Sequence, residues 1–84
     1  MSHLSRAIDA TLVMSTGHDL SMSKARLVAS RWLASEGLPV PAASEFGRTL
    51  DAMGIEQCEA PYGMALRGVD ISPAAYRRFM ARKG

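Results

Sequence analysis

Two closely spaced prolines, set between two short apolar-striped stretches, constrain the fold of this chain more than any other feature. The first stretch ends at Gly37, and Pro39 and Pro41 prevent a helix from continuing beyond it. The second stretch runs from about Ala42 to a stop at Gly54. This pattern predicts two helices joined by a tight turn.

Apolar residues at helical spacing predict three helices in the first two thirds of the chain. The first is expected over about Ser2–Ser15, with Gly17 placed to end it. Ser21 or Ser23 can cap the second. Gly47 in the third is expected where another helix crosses closely. The predicted buried faces are Ala25, Val28, Ala29, Trp32 and Leu33 in the second helix, and Ala43, Phe46, Gly47, Leu50 and Met53 in the third.

Beyond Gly54 the pattern changes from helix to strand. Ile55–Glu59 and Met64–Ile71 are short strand-like segments around a loop of turn-forming residues, 60–63. The apolar alternation of the second segment shifts phase at Arg67–Gly68, which predicts a β-bulge. We expect His18–Leu20 to form a brief extended segment that pairs with this hairpin.

A last helix is predicted from Ser72–Pro73, since serine caps a helix and proline suits its first position. Tyr76 and Phe79–Met80 are expected to pin it to the body. The element order predicts a mainly helical α+β fold, namely a winged helix-turn-helix of three helices and a β-hairpin wing, with an extra C-terminal helix. The 84 residues are expected to form a single domain, with the helix-turn-helix and wing over 20–71 and a basic helix or tail over 72–84.

The charges are unevenly distributed along the chain. Residues 1–70 hold six basic and eight acidic side chains, whereas residues 71–84 hold four basic side chains and no acidic one. The basic tail is predicted to be a phosphate-contacting arm, with a merely solubilising tail as the alternative. Four neutralised phosphates correspond to a log–log salt slope of about −3.6. The tail residues are Arg77, Arg78, Arg82 and Lys83.

A set of residues in the helix-turn-helix and hairpin carries a resemblance to a known family. They are Trp32, Gly37, Pro39, Ser44, Phe46, Gly47, Arg48, Leu50, Gly54, Ile55, Gly63, Gly68 and Val69. Their spacing resembles the winged-helix domain at the C-terminus of phage and plasmid primase-helicases, over roughly residues 20–71. The resemblance implies a free-standing module of a phage, plasmid or other mobile element.

Arg48 is the strongest candidate for a DNA contact. On the outward face of the third helix it can pair bidentately with guanine in the major groove. Ser44 and Thr49 are expected to contact phosphates or base edges beside it. The alternative is that Arg48 pairs with Glu45 or Asp51 on a solvated helix face.

Further DNA contacts are expected from the wing and from the preceding helix. Arg67 on the second hairpin strand can reach the DNA backbone or minor groove, but a cross-strand pair with Glu56 or Glu59 is an equal alternative. Lys24, Arg26 and Arg31 on the preceding helix can dock phosphates or serve as ordinary surface charges, and the two alternatives are equal. Arg77 and Arg78 are expected to add phosphate contacts from the tail.

These features together predict a small DNA-binding protein that acts on double-stranded DNA in transcriptional regulation or replication. One such module makes few contacts, so specific binding is expected to need a homodimer or a partner. The first helix and Tyr76–Phe79 are the expected dimer surfaces. The alternative is a winged helix adapted to bind protein, such as a phage inhibitor or adaptor, which the acidic side chains favour.

Other function classes have little support in the sequence. His3 and His18 lack partners at metal-ligand spacing, and Cys58 has no base near it. We therefore expect no metal, cofactor, small-molecule substrate or enzymatic activity. The sequence has no run of about 20 apolar residues and no export leader, so a cytoplasmic protein without membrane association is expected.

Overall fold

The computed structural model describes residues 3–80, which form helices and one antiparallel sheet around a common core. This confirms the α+β prediction. The elements are α1 (His3–Thr11), β1 (Leu12–Ser21), α2 (Met22–Ser35), α3 (Ala43–Ala52), β2 (Gln57–Ala60), β3 (Gly63–Ile71) and α4 (Pro73–Ala75), followed by a π-helical turn (Tyr76–Met80).

The sheet has the strand order β1-β3-β2, so β3 is central and pairs antiparallel with both neighbours. Pro61 and Tyr62 form the two-residue turn of the β2–β3 hairpin. The expected pairing of His18–Leu20 with the hairpin is confirmed at Asp19 and Leu20, which face Arg67 and Leu66, but the strand is ten residues long and not brief. This pairing brings the hairpin turn near the start of α2, because β1 ends where α2 begins.

An irregularity in the pairing of β1 with β3 lies at the predicted bulge. Asp19 faces Arg67 and Met14 faces Val69, so residues 15–18 of β1 lie opposite a single residue, Gly68. Gly68 has a φ of +73°, a conformation that glycine adopts without a Cβ penalty. Leu66 and Val69 are both buried, as the phase change requires.

Helix α1 ends at Thr11, so the predicted extension to Ser15 and the stop at Gly17 are wrong. Residues 12–14 pair with β3 instead, and their backbone hydrogen bonds go to the sheet. The buried Thr11 marks the change: its hydroxyl donates to the Ala7 carbonyl (2.7 Å), and its own carbonyl accepts from the Ser72 amide (2.8 Å). The predicted first residue of this helix lies outside the described part of the chain.

The core lies between the helices and the sheet. The predicted face of α2 is confirmed at its alanine, valine and leucine positions, while Trp32 is half-buried against the core. In α3 only Phe46 and Leu50 are buried, and the predictions for Ala43 and Met53 are wrong because both are exposed. The buried apolar cluster comprises Leu4, Ala7, Ile8, Leu12, Leu20, Ala25, Val28, Ala29, Leu33, Phe46, Leu50, Leu66, Val69, Ile71 and Ala75.

Gly47 does not mark a close helix crossing, so that prediction is wrong as well. The nearest atom that an added Cβ would meet is the side-chain oxygen of Gln57, at 4.0 Å. The Gln57 side chain lies across this part of α3 and donates to the Gly47 carbonyl (3.2 Å) and the Asp51 carboxylate (2.9 Å). Gln57 thereby ties α3 to β2.

The start of the C-terminal helix is confirmed. The Ser72 hydroxyl accepts a hydrogen bond from the Ala75 amide (3.1 Å), and Pro73 occupies the first turn. Phe79 and Met80 pack against the core as expected. Tyr76 does not pin this segment to the body, because its side chain is 52% exposed.

Ser21 caps α2 by accepting a hydrogen bond from the Lys24 amide (3.4 Å). We expect Ser21→Ala to lower the free energy of unfolding by about 1 kcal/mol, because the first turn loses a hydrogen-bond acceptor. Ser23→Ala is the matched control, since this exposed serine does not cap the helix and should change stability by less than about 0.5 kcal/mol. Urea denaturation followed by circular dichroism measures both, and equal effects would contradict the cap assignment.

Candidate nucleic-acid interface

The outward face of α3 presents Arg48 to solvent. Phe46 and Leu50 hold the opposite side of the helix in the core, which directs Arg48 and Ser44 outward. Among residues 3–80 the Arg48 side chain forms no ion pair or hydrogen bond. The alternative of a pair with Glu45 or Asp51 is therefore not what the structure shows.

The other polar residues of α3 are used within the fold. The half-buried Thr49 donates its hydroxyl hydrogen to the Glu45 carbonyl (2.9 Å), so this donor is not directed toward a phosphate. Asp51 accepts from Gln57. Ser44 is exposed beside Arg48. Of the three residues predicted to contact DNA from α3, Arg48 and Ser44 thus have free side chains.

On β3, Arg67 takes part in an ion pair with Glu56, the residue that directly precedes β2. Its guanidinium nitrogen lies 3.6 Å from a carboxylate oxygen of Glu56, and both side chains are more than half exposed. The ion-pair alternative is thus confirmed for Glu56. A surface pair of this kind contributes at most about 1 kcal/mol, so it leaves Arg67 able to exchange partners.

The C-terminal segment folds back onto α2. The guanidinium of Arg31 donates to the Phe79 carbonyl and lies 4.0 Å from the Met80 sulfur. Lys24, on the same flank of α2, shares a surface groove with Tyr76 and Met80. The fold therefore gathers basic residues that are distant in sequence.

We call Lys24, Arg31, Arg77 and Arg78 the basic cluster. All four side chains are exposed, and the guanidinium of Arg78 lies over the ring of Phe79 at 4.8 Å. Among residues 3–80 none of the four forms an ion pair with a carboxylate. The basic cluster is thus a second positive surface besides Arg48. Arg82 and Lys83, which the tail prediction also includes, lie outside the described residues.

A groove of about 660 Å³ runs beside the basic cluster. It is lined by the buried Leu20 and Ile71 and by Tyr62 and Tyr76, two residues that are 62% and 52% exposed. The hairpin turn supplies Tyr62, and the π-helical turn supplies Tyr76.

Charged groups line the same groove. The Nε2 atom of His18 lies 3.3 Å from a carboxylate oxygen of Asp70, which also accepts from the Ile71 amide (2.7 Å). Asp19 and Lys24 also line the groove, and neither forms an ion pair with another residue of the described part. Their polar atoms are therefore available to a ligand.

No family model, curated protein or solved structure matches this chain.

Among the described residues that line the groove, only Lys24 is also a DNA-contact candidate from the sequence. Of the other groove residues, Tyr62 is the one whose exposure the sequence indicates most clearly, because an aromatic residue in a two-residue hairpin turn is exposed by its position. Tyr76 reads as a core residue from its spacing, and only the course of the π-helical turn exposes it. The pairing of His18 with Asp70 depends on the sheet register and leaves no local signal.

The cysteine, the potential metal ligands and the helix lengths are further features of residues 3–80. Cys58 is a free, half-buried thiol on β2. No cluster of three or more potential ligand side chains in this range is arranged to hold a metal ion. None of the helices in the same range combines the length and apolarity that crossing a membrane requires.

Proposed function

We propose that this protein is a winged-helix DNA-binding protein that inserts α3 into the major groove of double-stranded DNA. The observation that carries the proposal is the exposed Arg48 guanidinium on the outward face of α3, without a partner among residues 3–80. An arginine with no protein partner has its full fork of donors available for guanine O6 and N7.

The order of elements supports the proposal. A winged helix consists of a helix, a short strand, two helices and a hairpin, with the short strand paired to the second hairpin strand. The elements α1 to β3 follow this order, and β1 pairs with β3. The hairpin turn at Pro61–Tyr62 corresponds to the wing tip.

The resemblance of residues 20–71 to the winged-helix domain of primase-helicases supports an origin in a phage, plasmid or other mobile element. We propose a role in transcriptional regulation or replication, carried out through DNA binding. A single α3 presents few groups to the bases, so we propose that a homodimer on two half-sites provides specificity. The basic cluster contributes sequence-independent phosphate contacts.

Charge reversal at Arg48 tests the proposal. We expect Arg48→Glu to weaken binding to duplex DNA at least about tenfold at low salt, because it replaces a base-reading cation with an anion. Fluorescence anisotropy with a labelled random-sequence duplex, at about 50 and 200 mM salt, provides the measurement.

Arg26→Glu is the matched control for Arg48→Glu. Arg26 is an exposed arginine on the flank of α2 opposite Lys24 and Arg31, so it lies outside the proposed contact set. Its replacement changes the net charge by the same amount. It should weaken duplex binding much less. Equal losses in the two variants would reduce the effect to net charge, and unchanged binding by Arg48→Glu would exclude α3 as the reading helix.

One observation favours a second candidate, a module that binds another protein. Val13, Met14 and Met53 are 42%, 81% and 38% exposed around a shallow hollow, and Asp9 is its only charged lining residue. Exposed apolar patches of this kind often mark protein contacts. A folded protein that binds neither duplex nor single-stranded DNA at about 50 mM salt would favour this candidate over the first.

The apolar side of α1, one of the expected dimer surfaces, is covered by the protein's own core. Leu4, Ala7 and Ile8 form its apolar side and are buried within the same chain. A partner would therefore meet the apolar hollow at the end of α1, around Met14, rather than the helix face itself.

A further inference from the structure

The groove beside the basic cluster has the chemistry of a site for unpaired nucleotides. We propose that it binds single-stranded DNA, with bases stacked on Tyr62 and Tyr76. This inference rests on the proposed function in that it takes DNA as the ligand. It adds a second surface, separate from α3, and a different DNA structure.

The exposure of the two tyrosines is the first observation that supports a single-strand site. Both tyrosines line one groove, yet each residue is more than half exposed. Neither hydroxyl has a hydrogen-bond partner among residues 3–80, so no polar contact within the fold accounts for their positions. An exposed tyrosine that lines this groove offers a stacking face to a planar ligand.

The polar groups of the groove suit the other parts of a nucleotide. The Lys24 ammonium has no carboxylate partner in the described part of the chain and can meet a phosphate. The carboxylates of Asp19 and Asp70 would repel a phosphate but can accept hydrogen bonds from base amino groups. The apolar lining of Leu20 and Ile71 suits the base itself.

The position of the basic cluster provides a path for the backbone of a strand. Tyr76 is followed directly by Arg77 and Arg78, and Met80 both lines the groove and contacts Arg31. A strand that leaves the groove therefore meets the basic cluster. Stacking rings beside a positive path are the general means by which proteins bind single strands.

The volume of the groove and the requirements of stacking on a tyrosine favour unpaired rather than paired bases. A groove of about 660 Å³ lies within the range of small-ligand sites and accommodates a nucleotide. Bases inside a duplex have both faces covered by their neighbours, so a tyrosine can stack only on a base that has left the duplex. Single-stranded DNA presents such bases throughout.

Tyrosine replacement tests this proposal. The probe is a fluorescein-labelled oligodeoxycytidylate of about 12 nucleotides, whose bases carry amino groups and whose length lies within the usual site sizes of single-strand binders. Anisotropy at low salt should show about tenfold weaker binding for Tyr62→Ala and for Tyr76→Ala, because each variant loses one stacked base. Both side chains are exposed, and circular dichroism verifies that the variants fold.

The matched controls are Tyr62→Phe and Tyr76→Phe, which keep the ring and remove the hydroxyl. They should bind the oligonucleotide within about twofold of the unaltered protein. Oligonucleotide binding that is unchanged in both alanine variants overturns the proposal. So does a phenylalanine variant that loses as much affinity as its alanine counterpart, or the absence of any binding to the single strand.

Parallel titration with duplex DNA separates this proposal from the proposed function. Suppose that duplex binding depends on Arg48 while single-strand binding does not change in the tyrosine variants. Insertion of α3 into the major groove is then supported, and the proposed groove site is overturned. If single-strand binding depends on the tyrosines and no duplex binding occurs, the groove is supported and the major-groove function fails.

Discussion

Leu66→Ala is expected to lower the free energy of unfolding by about 2–5 kcal/mol. Leu66 is 0% exposed on the central strand β3, where it faces Leu20 of β1 on one side and Gln57 of β2 on the other. Its removal leaves a cavity where the sheet packs on the helices. A domain of this size is stabilised by only about 5–10 kcal/mol in total, so this change removes a large part of the stability.

Urea denaturation measures the loss, and Met64→Ala is the matched control. Met64 lies on the same strand two residues earlier but is 42% exposed, so its truncation should cost less than about 1 kcal/mol. A loss of stability in Leu66→Ala that does not exceed the loss in Met64→Ala would contradict the burial of Leu66 between the sheet and the helices.

The double variant Arg77→Glu and Arg78→Glu is expected to bind duplex DNA about 100-fold more weakly at about 50 mM salt. If each arginine neutralises one phosphate, the log–log salt slope should also become shallower by about 1.8. The reason is that both guanidinium groups are exposed in the basic cluster and neither has a carboxylate partner in the described part of the chain.

The double variant Arg6→Glu and Arg26→Glu carries the same net charge and serves as the control. Arg6 lies on α1, and Arg26 lies on the flank of α2 opposite Lys24. Salt titration by fluorescence anisotropy gives both the affinity and the slope. A control variant with the same loss of affinity and the same change in slope would show that binding follows net charge and does not use the basic cluster.

The helix ends and turns predicted from the sequence agree best with the structure where local chemistry decides them. Ser72 and Pro73 start α4, and α2 stops just before Gly37. The phase change at Gly68 corresponds to a real irregularity of the sheet. These signals succeed because a cap, a ring-locked φ or a missing Cβ acts on atoms only a few residues away.

The predictions that fail depend on contacts between distant parts of the chain. The stop of α1 at Thr11 is decided by pairing of the next residues with β3, which outweighs their helical pattern. Met53 matches the apolar stripe of α3 but has no neighbour to cover it fully. Helical periodicity states which residues share a face and does not state how wide the covering surface is.

The candidate site likewise contains one part that local sequence predicts and another that depends on distant contacts. The outward position of Arg48 follows from the apolar stripe of its own helix, and residue spacing alone predicts it. The basic cluster and the tyrosine groove exist only because the sheet and the C-terminal turn bring α2, the hairpin turn and residues 76–80 together. Local sequence determines capping, turns and faces because these depend on neighbouring atoms, whereas only the packed chain can place distant side chains on one surface.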